Sequence, residues 1–556
     1  MIRFLFYLLF FFLFSNTIVA ATDTLKLTEG SVSSAHPLAT HAAETIYRSG
    51  GNAVDAAVAA SFALSVVEPT MSGLGGRAQS IVRTQKGDFV GYNGMTEIPK
   101  SFLKSADMAS SGYSTVATPG LVALLWDMHQ QHGKLPFAML VEPAIGYAEN
   151  GFVLLPGEVA RQASVLDNIN SDLGMQSAFL DTNGALTPAG KILKQPALAE
   201  TLKKVAEGGA DAFYRGGIAR AISDDMDRHG GFVTQDDLSD YKVLPGRYIS
   251  FPYRDFVIHT LAAPAGGGLV AKAMMLLSYF DMTSLDDARW ATTVSQALAI
   301  SIESMSSNYY EKNLYELTDS AWAKQQSKRI FMPLISQKMR ISGNNKSLPA
   351  ATDWIGAPGA HTSHLVTADC TGLTVSMTQT IGPIFGAQVA TPNLGFVYAA
   401  TMGGYLRTGP QNPGERPRTA IAPVIVTKDD SVVMALGAAG GIRIPSAIVQ
   451  TISRFIDQEK TLADSIAAPR IHPLAEIDKD NNRVIDLFSF SAETSHRGWS
   501  SDALSYWEKS GFKVIKLDKN ASFGRVHAIA RQDDKLVGVA DPDWEGTAND
   551  AVICAE

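Results

Sequence analysis

Two threonines carry the first candidate chemistry of this chain. In the stretch from His361 to Gly386, HTSHLVTADCTGLTVSMTQTIGPIFG, Thr362 falls on one predicted strand and Thr380 on the next. Asp369, Cys370, Thr371 and Gly372 have the residue types of a type I turn closed by a left-handed glycine, which makes a three-residue hairpin loop with a bulge. That loop pairs Asp369 with Leu373, and the same register carried down the ladder sets Thr362 opposite Thr380 at cross-strand distance. The return strand alternates with period two: Thr374, Ser376, Thr378 and Thr380 share one face, and Leu373, Val375 and Met377 share the other. An alcohol is a poor nucleophile near neutral pH and needs a base; a facing hydroxyl can hydrogen-bond and orient it but cannot serve as that base. The same residues also spell an ordinary Thr-rich strand.

A second element of such a site is a pair of donors for an oxyanion. Gly440 and Gly441, in GAAGGIRI just before a predicted helix, are candidates because glycine lets backbone N–H groups approach a ligand closely. They also fit a tight strand-to-helix turn. Other catalytic arrangements are poorly supported. No Gly-x-Ser-x-Gly elbow is apparent, and His36, His364, His472 and His527 sit in blocks where hydrogen bonding in the core is the expected role. No paired His spacing points to a metal, and no cofactor is expected. The two cysteines, Cys370 and Cys554, are too few for a metal cluster or a disulfide framework. A single bridge between them and two free thiols both remain open.

The elements that must position these groups are legible from periodicity and punctuation. Arg3, the apolar run Phe4 to Phe14 and the small residues Val19-Ala20-Ala21 read as a leader over residues 1–21, too short to span a bilayer; an uncleaved anchor is the alternative. His41 to Arg48 and Ala53 to Leu64 read as helices separated by Ser49-Gly50-Gly51-Asn52, with Asn52 able to cap the second. Strands follow at Gln79 to Arg83 and Phe89 to Tyr92. Helical spacing then recurs at Leu121 to His132, Phe137 to Asn150, Ala197 to Gly208, Gly217 to His229, Leu269 to Phe280 and Trp290 to Tyr310. Lys338 to Gly359 lacks apolar periodicity and reads as an exposed loop ending just before Thr362. Strands at Leu365 to Ala368, Leu373 to Thr380, Ile421 to Val426 and Val432 to Gly437 precede a helix at Ser446 to Gln458 and a tail of shorter elements. Helices, a strand-rich centre and helices again fit an α/β sandwich.

Length and charge narrow the partners. The 556 residues are 46% apolar and 18% charged, as in an ordinary globular protein. A net charge of −8 and the absence of a Lys/Arg run argue against nucleic acid, and past the leader no segment has the length of a membrane helix. A small-molecule amide or peptide is the expected partner, in a secreted or periplasmic compartment.

From about Ser31 to Pro542 the chain resembles the γ-glutamyltransferase (glutathione hydrolase, γ-glutamyltranspeptidase) family. Ser33 to Gly76, SSAHPLATHAAETIYRSGGNAVDAAVAASFALSVVEPTMSGLGG, is similar to the family's N-terminal signature nearly residue for residue. TPGLVALLWDMHQQHGKLP, EPAIGYAENGF, DAFYRGGIARAI, ERPRTAIAPVIV, GAAGGIRI, APRIHP and FGRVHAI follow in the family's order. The resemblance implies the four-layer αββα fold of N-terminal nucleophile hydrolases. It implies a precursor, or zymogen, cut between His361 and Thr362 by attack of Thr362 Oγ on the His361 carbonyl. A large subunit of residues 22–361 and a small one of 362–556 would then form one intertwined domain. The new α-amine of Thr362, titrating near ~7.7–8.0, would be the base, Thr380 would orient the hydroxyl, and Gly440 and Gly441 would hold the oxyanion.

The chain departs from the family where a γ-glutamyl group would be gripped. Met95 stands where an R-E-x-A-P segment places arginine, so a charge-assisted contact is lost. Gly382 replaces the usual asparagine. Ala399 to Gly404 replaces N-N-x-M-D-D, and Thr419-Ala420 replaces paired serines. The segment between Tyr405 and Glu415 is short for a lid. Arg77 follows Gly76 where the family continues with glycine; it either places a cation near the pocket or is a salt-bridged or snorkelling arginine. The leading expectation is an autoprocessing threonine hydrolase or acyltransferase acting on a γ-glutamyl-type amide, as in glutathione metabolism. An acylase for a non-glutamyl group and a degenerate, non-catalytic relative are the alternatives.

Overall fold

A computed structural model of the protein describes residues 29–103, 109–305, 313–331, 361–403, 412–477, 483–495, 497–518 and 522–554. The leader, the Lys338 to Gly359 loop and most of the segment after Tyr405 lie outside them. Asn52 and Asp55 close the first turn of the Ala53–Val67 helix as a capping box. All of that helix is buried, which its alanines permit by allowing neighbouring helices to approach closely. The preceding helix starts earlier than its periodicity suggests, at Pro37: the His36 ring accepts the Leu38 N–H, and proline fits the first turn. Leu121–His132 and Phe137–Asn150 have the predicted bounds. Ala197 to Gly208 proves to be one arm of a Pro196–Tyr214 helix bent at Gly209, whose φ is 58°.

Two seven-stranded sheets form the centre. The first runs Thr547–Ala548, Gly30–Ser34, His361–Asp369, Thr374–Gly382, Arg77–Arg83, Phe89–Gly94 and Leu244–Pro245. The predicted hairpin is thus inserted between strands from the N-terminal part of the chain. The second runs Val552–Ile553, Lys535–Ala540, Arg525–Gln532, Ser431–Ala439, Val424–Lys428, Phe256–Leu261 and Tyr248–Tyr253. One apolar cluster joins the first sheet to the Ala53–Val67 and Leu121–His132 helices. Another joins the second sheet to Gly267–Leu277, Asp287–Glu303 and Ile444–Ile456. Ile81, Val366, Ala435 and Ile529 fill the space between the sheets. The layers are therefore helix, sheet, sheet, helix, the expected αββα order.

The hairpin turn forms as its residues predict. Asp369 N–H donates to Leu373 O at 3.0 Å, Gly372 N–H donates to Asp369 O at 3.0 Å, and Gly372 has φ 87°. Cys370, at the tip, is bridged to Cys554 with Cα atoms 5.2 Å apart, which decides between the bridge and free thiols. The bridge closes 184 residues. Loop-closure entropy gives such a constraint up to about 5 kcal/mol, and native bridges typically contribute about 2–5 kcal/mol. Replacing both cysteines by serine is expected to lower the urea midpoint accordingly; an unchanged midpoint would show that other contacts hold the C-terminal strand.

Candidate active site

The ladder between the hairpin strands is regular from Thr374, opposite Ala368, to Gln379, opposite Ser363. It then shifts, and Gly382 faces His361. Sequence alone suggested an unbroken register; instead a bulge sets Thr380 and Ile381 against Thr362. Gly382 adopts φ 96° and its N–H donates to Thr380 Oγ1 at 2.9 Å, so the strand turns where a glycine can follow it. The two hydroxyls still meet. Thr362 Oγ1 donates to Thr380 Oγ1 at 3.3 Å, and both residues are buried.

The second sheet brings Gly440 and Gly441 to this end of the hairpin. Ser376 Oγ donates to Leu436 O at 2.9 Å, and a Cβ on Gly437 would lie 2.3 Å from the His364 ring. Successive residues of the Ser431–Ala439 strand thus pass from Ser376 to His364, toward Thr362. Gly440 (φ 137°) and Gly441 (φ 58°) follow, in conformations that favour glycine, at the start of a 3-10 turn leading into the Ile444–Ile456 helix. A helix N-terminus adds positive potential there.

Arg77 is directly opposite Thr380 on the neighbouring strand, on the same face. It is buried, and its Nη1 donates to Ala400 O at 3.1 Å and Thr401 Oγ1 at 2.9 Å. Thr96 Oγ1 lies 3.0 Å from Thr401 Oγ1. The Met95 side chain next to it is wholly buried, and its carbonyl accepts from Tyr241 Oη at 2.7 Å. Arg416 pairs with Glu97 at 3.1 Å. Thr419 and Ala420 form a segment lying against Pro264 and Gly266: Thr419 N–H donates to Pro264 O, and Thr419 Oγ1 accepts the Ile421 N–H at 3.2 Å. The resemblance set Met95, Thr419 and Ala420 where the family grips its substrate, with Arg77 a candidate beside them; the bonds they make are not legible in the sequence.

Three of the four noted histidines have core hydrogen-bonding roles. His36 caps a helix, His364 Nδ1 lies 2.8 Å from Thr378 Oγ1, and His472 Nδ1 lies 2.8 Å from Ser446 Oγ. His527 is equally buried, yet neither ring nitrogen has a hydrogen-bond partner among the described residues. Burial lowers all four, His36 and His472 to about 3 and His527 to about 4, so they are neutral at physiological pH. Among the described residues no group of His, Cys, Asp and Glu is arranged to hold a metal ion.

Glu68 escaped sequence reasoning. Its carboxylate accepts from Ser363 Oγ at 2.7 Å, one residue past Thr362, and burial pushes it up to about 7. The available signal was an acid within the otherwise apolar end of a helix.

The sequence model of the gamma-glutamyltranspeptidase family matches residues 39–551. The chain belongs to that family. It is accordingly an enzyme, a hydrolase or acyltransferase of the autoprocessed N-terminal nucleophile type. Within this gamma-glutamyltranspeptidase family it is 28% identical to the glutathione hydrolase proenzyme of Pseudomonas sp. (strain A14), over 86% of this chain and 87% of that one. It is 30% identical to the acylase ACY 1 proenzyme of Pseudomonas sp. (strain V22), over 80% and 82%. The crystal structure of cephalosporin acylase from Bacillus halodurans superposes with a TM-score of 0.81 at 25% identity, covering 94% of this chain and 96% of that one.

Proposed function

We propose that the chain cuts itself between His361 and Thr362 and that the freed threonine cleaves a γ-glutamyl-type amide through an acyl-Thr362 intermediate. The observation that carries this reading is the buried Thr362–Thr380 hydroxyl pair at 3.3 Å, with Arg77 in register beside it. In the precursor, Thr362 Oγ attacks the His361 carbonyl, the peptide becomes an ester, and water releases residues 22–361 from 362–556. The new α-amine then takes the hydroxyl proton as Oγ attacks the substrate amide and returns a proton to the leaving amine. Thr380 orients the hydroxyl. Gly440 and Gly441 N–H groups stabilise the oxyanion of both reactions. The two subunits interleave in the first sheet, which keeps them together after cleavage. A secreted or periplasmic location accords with the leader and the Cys370–Cys554 bridge, and among the described residues no helix is long and apolar enough to cross a membrane.

Arg77 supplies the cation for a carboxylate on the acyl group. Arg77→Met is expected to lower kcat/KM on a γ-glutamyl anilide by about tenfold to a hundredfold, chiefly through KM, as loss of a charge-assisted contact requires. Met95 favours a second reading, an acylase for a less polar acyl group, because its buried thioether cannot pair with a charge. That reading replaces the first if correctly processed protein leaves γ-glutamyl anilide intact and Met95→Arg creates no turnover. Intact mass of the exported protein tests the cut at Thr362. A folded chain that stays single refutes Thr362 as the nucleophile.

A further inference from the structure

Ser363 follows the candidate nucleophile, and its side chain faces away from the site, into the helical layer. There it meets Glu68, on which the Ala53–Val67 helix ends and which is 1% exposed. The second carboxylate oxygen of Glu68 accepts from Trp544 Nε1 at 3.4 Å. Two guanidinium groups lie over the Trp544 ring, Arg161 4.5 Å and Arg525 3.8 Å from its centroid. Arg525 is paired with Ala439, the residue before Gly440, and a Cβ on Gly440 would lie 2.7 Å from Gly524 Cα. Contacts therefore run from Ser363 on one sheet to the Gly440 turn on the other. Beside Ser363, its ladder partner Gln379 accepts from Ser61 Oγ and donates to Ser72 Oγ and Ser61 O. The last regular pair before the bulge is thus pinned to the helical layer on both strands.

We infer that Glu68 is a positioning residue for the nucleophile: its carboxylate clamps Ser363 behind Thr362 and, through Trp544 and Arg525, ties that clamp to the strand that carries Gly440. The inference rests on the reading of Thr362 as nucleophile. It assigns Glu68 no contact with substrate and no proton transfer to the reacting atoms.

The clamp depends on charge. As an anion, Glu68 accepts from both Ser363 and Trp544; once protonated, it loses acceptor strength and part of its attraction to the cations around it. Arg161 and Glu158 face it from the Pro156–Ala163 helix and Arg525 from the second sheet; Glu545 follows Trp544 and lies 3.9 Å from Arg161. Glu158 is itself bonded by Thr70, Arg161 and Gln162. His36, beside Arg161, is neutral. Burial raises Glu68 to about 7, with Arg161 and the Ser363 hydrogen bond opposing the rise. The folded carboxyl therefore holds its proton to a higher pH than the unfolded one. The stability this contributes is complete below the ordinary carboxylate range and is lost as pH rises through about 7. The working form of the clamp is the less stable one.

Self-cleavage is the informative readout, because the precursor has no Thr362 amine whose titration would overlap. The full-length precursor and its Glu68→Gln and Ser363→Ala variants are refolded at pH 5–9, and the appearance of the 362–556 fragment is timed by gel and mass. Wild type is expected to cleave faster as pH rises through about 7. Glu68→Gln is expected to cleave about tenfold more slowly at pH 8, as loss of a hydrogen bond to a charged group implies, and without that rise. Ser363→Ala should also be slowed, and wild-type melting temperature should fall relative to Glu68→Gln between pH 6 and pH 8. Wild-type rate and pH profile in Glu68→Gln overturn the inference; should that variant not fold, an unslowed Ser363→Ala overturns it. Absence of a 361/362 cut in folded wild type instead refutes the underlying nucleophile reading.

Discussion

Thr362→Ala is expected to leave the chain in one piece and to lower amide turnover by about 10⁴-fold or more, the scale on which loss of a catalytic nucleophile is felt. The two losses have one cause. The hydroxyl that attacks the His361 carbonyl is the hydroxyl that later attacks the substrate, and without the first reaction the α-amine that activates the second never forms. Thr362→Ser keeps the hydroxyl and should still self-cleave, more slowly, because serine lacks the β-methyl that restricts χ1 and holds Oγ toward Thr380. Supplying residues 22–361 and 362–556 as separate chains separates the two roles. With alanine at 362 the reassembled enzyme should remain inactive, and with threonine it should turn over. Full activity of an uncleaved Thr362→Ala chain would dismiss Thr362 and move the search to another nucleophile. The expected loss far exceeds that from Thr380→Val, which removes the neutral hydrogen bonds from Thr362 Oγ1 and from the Gly382 N–H, each worth about 1 kcal/mol.

How much of this arrangement was legible depends on how local its causes are. The hairpin could be read because its turn is fixed by four adjacent residues and its faces by period-two alternation; from them Thr362 and Thr380 were placed opposite one another. The bulge could not be read, because it depends on Gly382 and the Thr380 hydroxyl jointly replacing a ladder bond. The Gly30–Ser34 strand has no such local signature. It is Ser-rich and buried throughout, with hydroxyls bonded to Asn549, Val539 O and Thr40, so it shows no apolar alternation. Tyr248–Tyr253 and Phe256–Leu261 supply two strands of the second sheet beyond those expected from the sequence. Glu68 is a harder case. Its partners Ser363 and Trp544 lie 295 and 476 positions away, and no local pattern records such a contact.

Gly440→Ala is expected to lower kcat by about 10²–10³-fold with little change in KM, the effect of removing an oxyanion donor. Two independent constraints act at this position. A φ of 137° lies outside what an alanine adopts readily, and the added Cβ would come within 2.7 Å of Gly524 Cα, a backbone atom on a neighbouring turn. Gly524 itself has φ 92°, so neither side of the contact yields easily. Relief must come from the 3-10 turn Gly441–Arg443, displacing the N–H groups from the site without removing any side chain that touches substrate. Gly441→Ala is the control. Its φ of 58° is in the left-handed helical region, which alanine enters at a cost of about 1–2 kcal/mol, so its effect on kcat should be smaller. Because the same donors stabilise the oxyanion of self-cleavage, Gly440→Ala should slow appearance of the 362–556 fragment in the same proportion as turnover. A variant that processes at the wild-type rate yet turns over slowly would assign Gly440 to the substrate alone. A fully active one would return it to a structural turn.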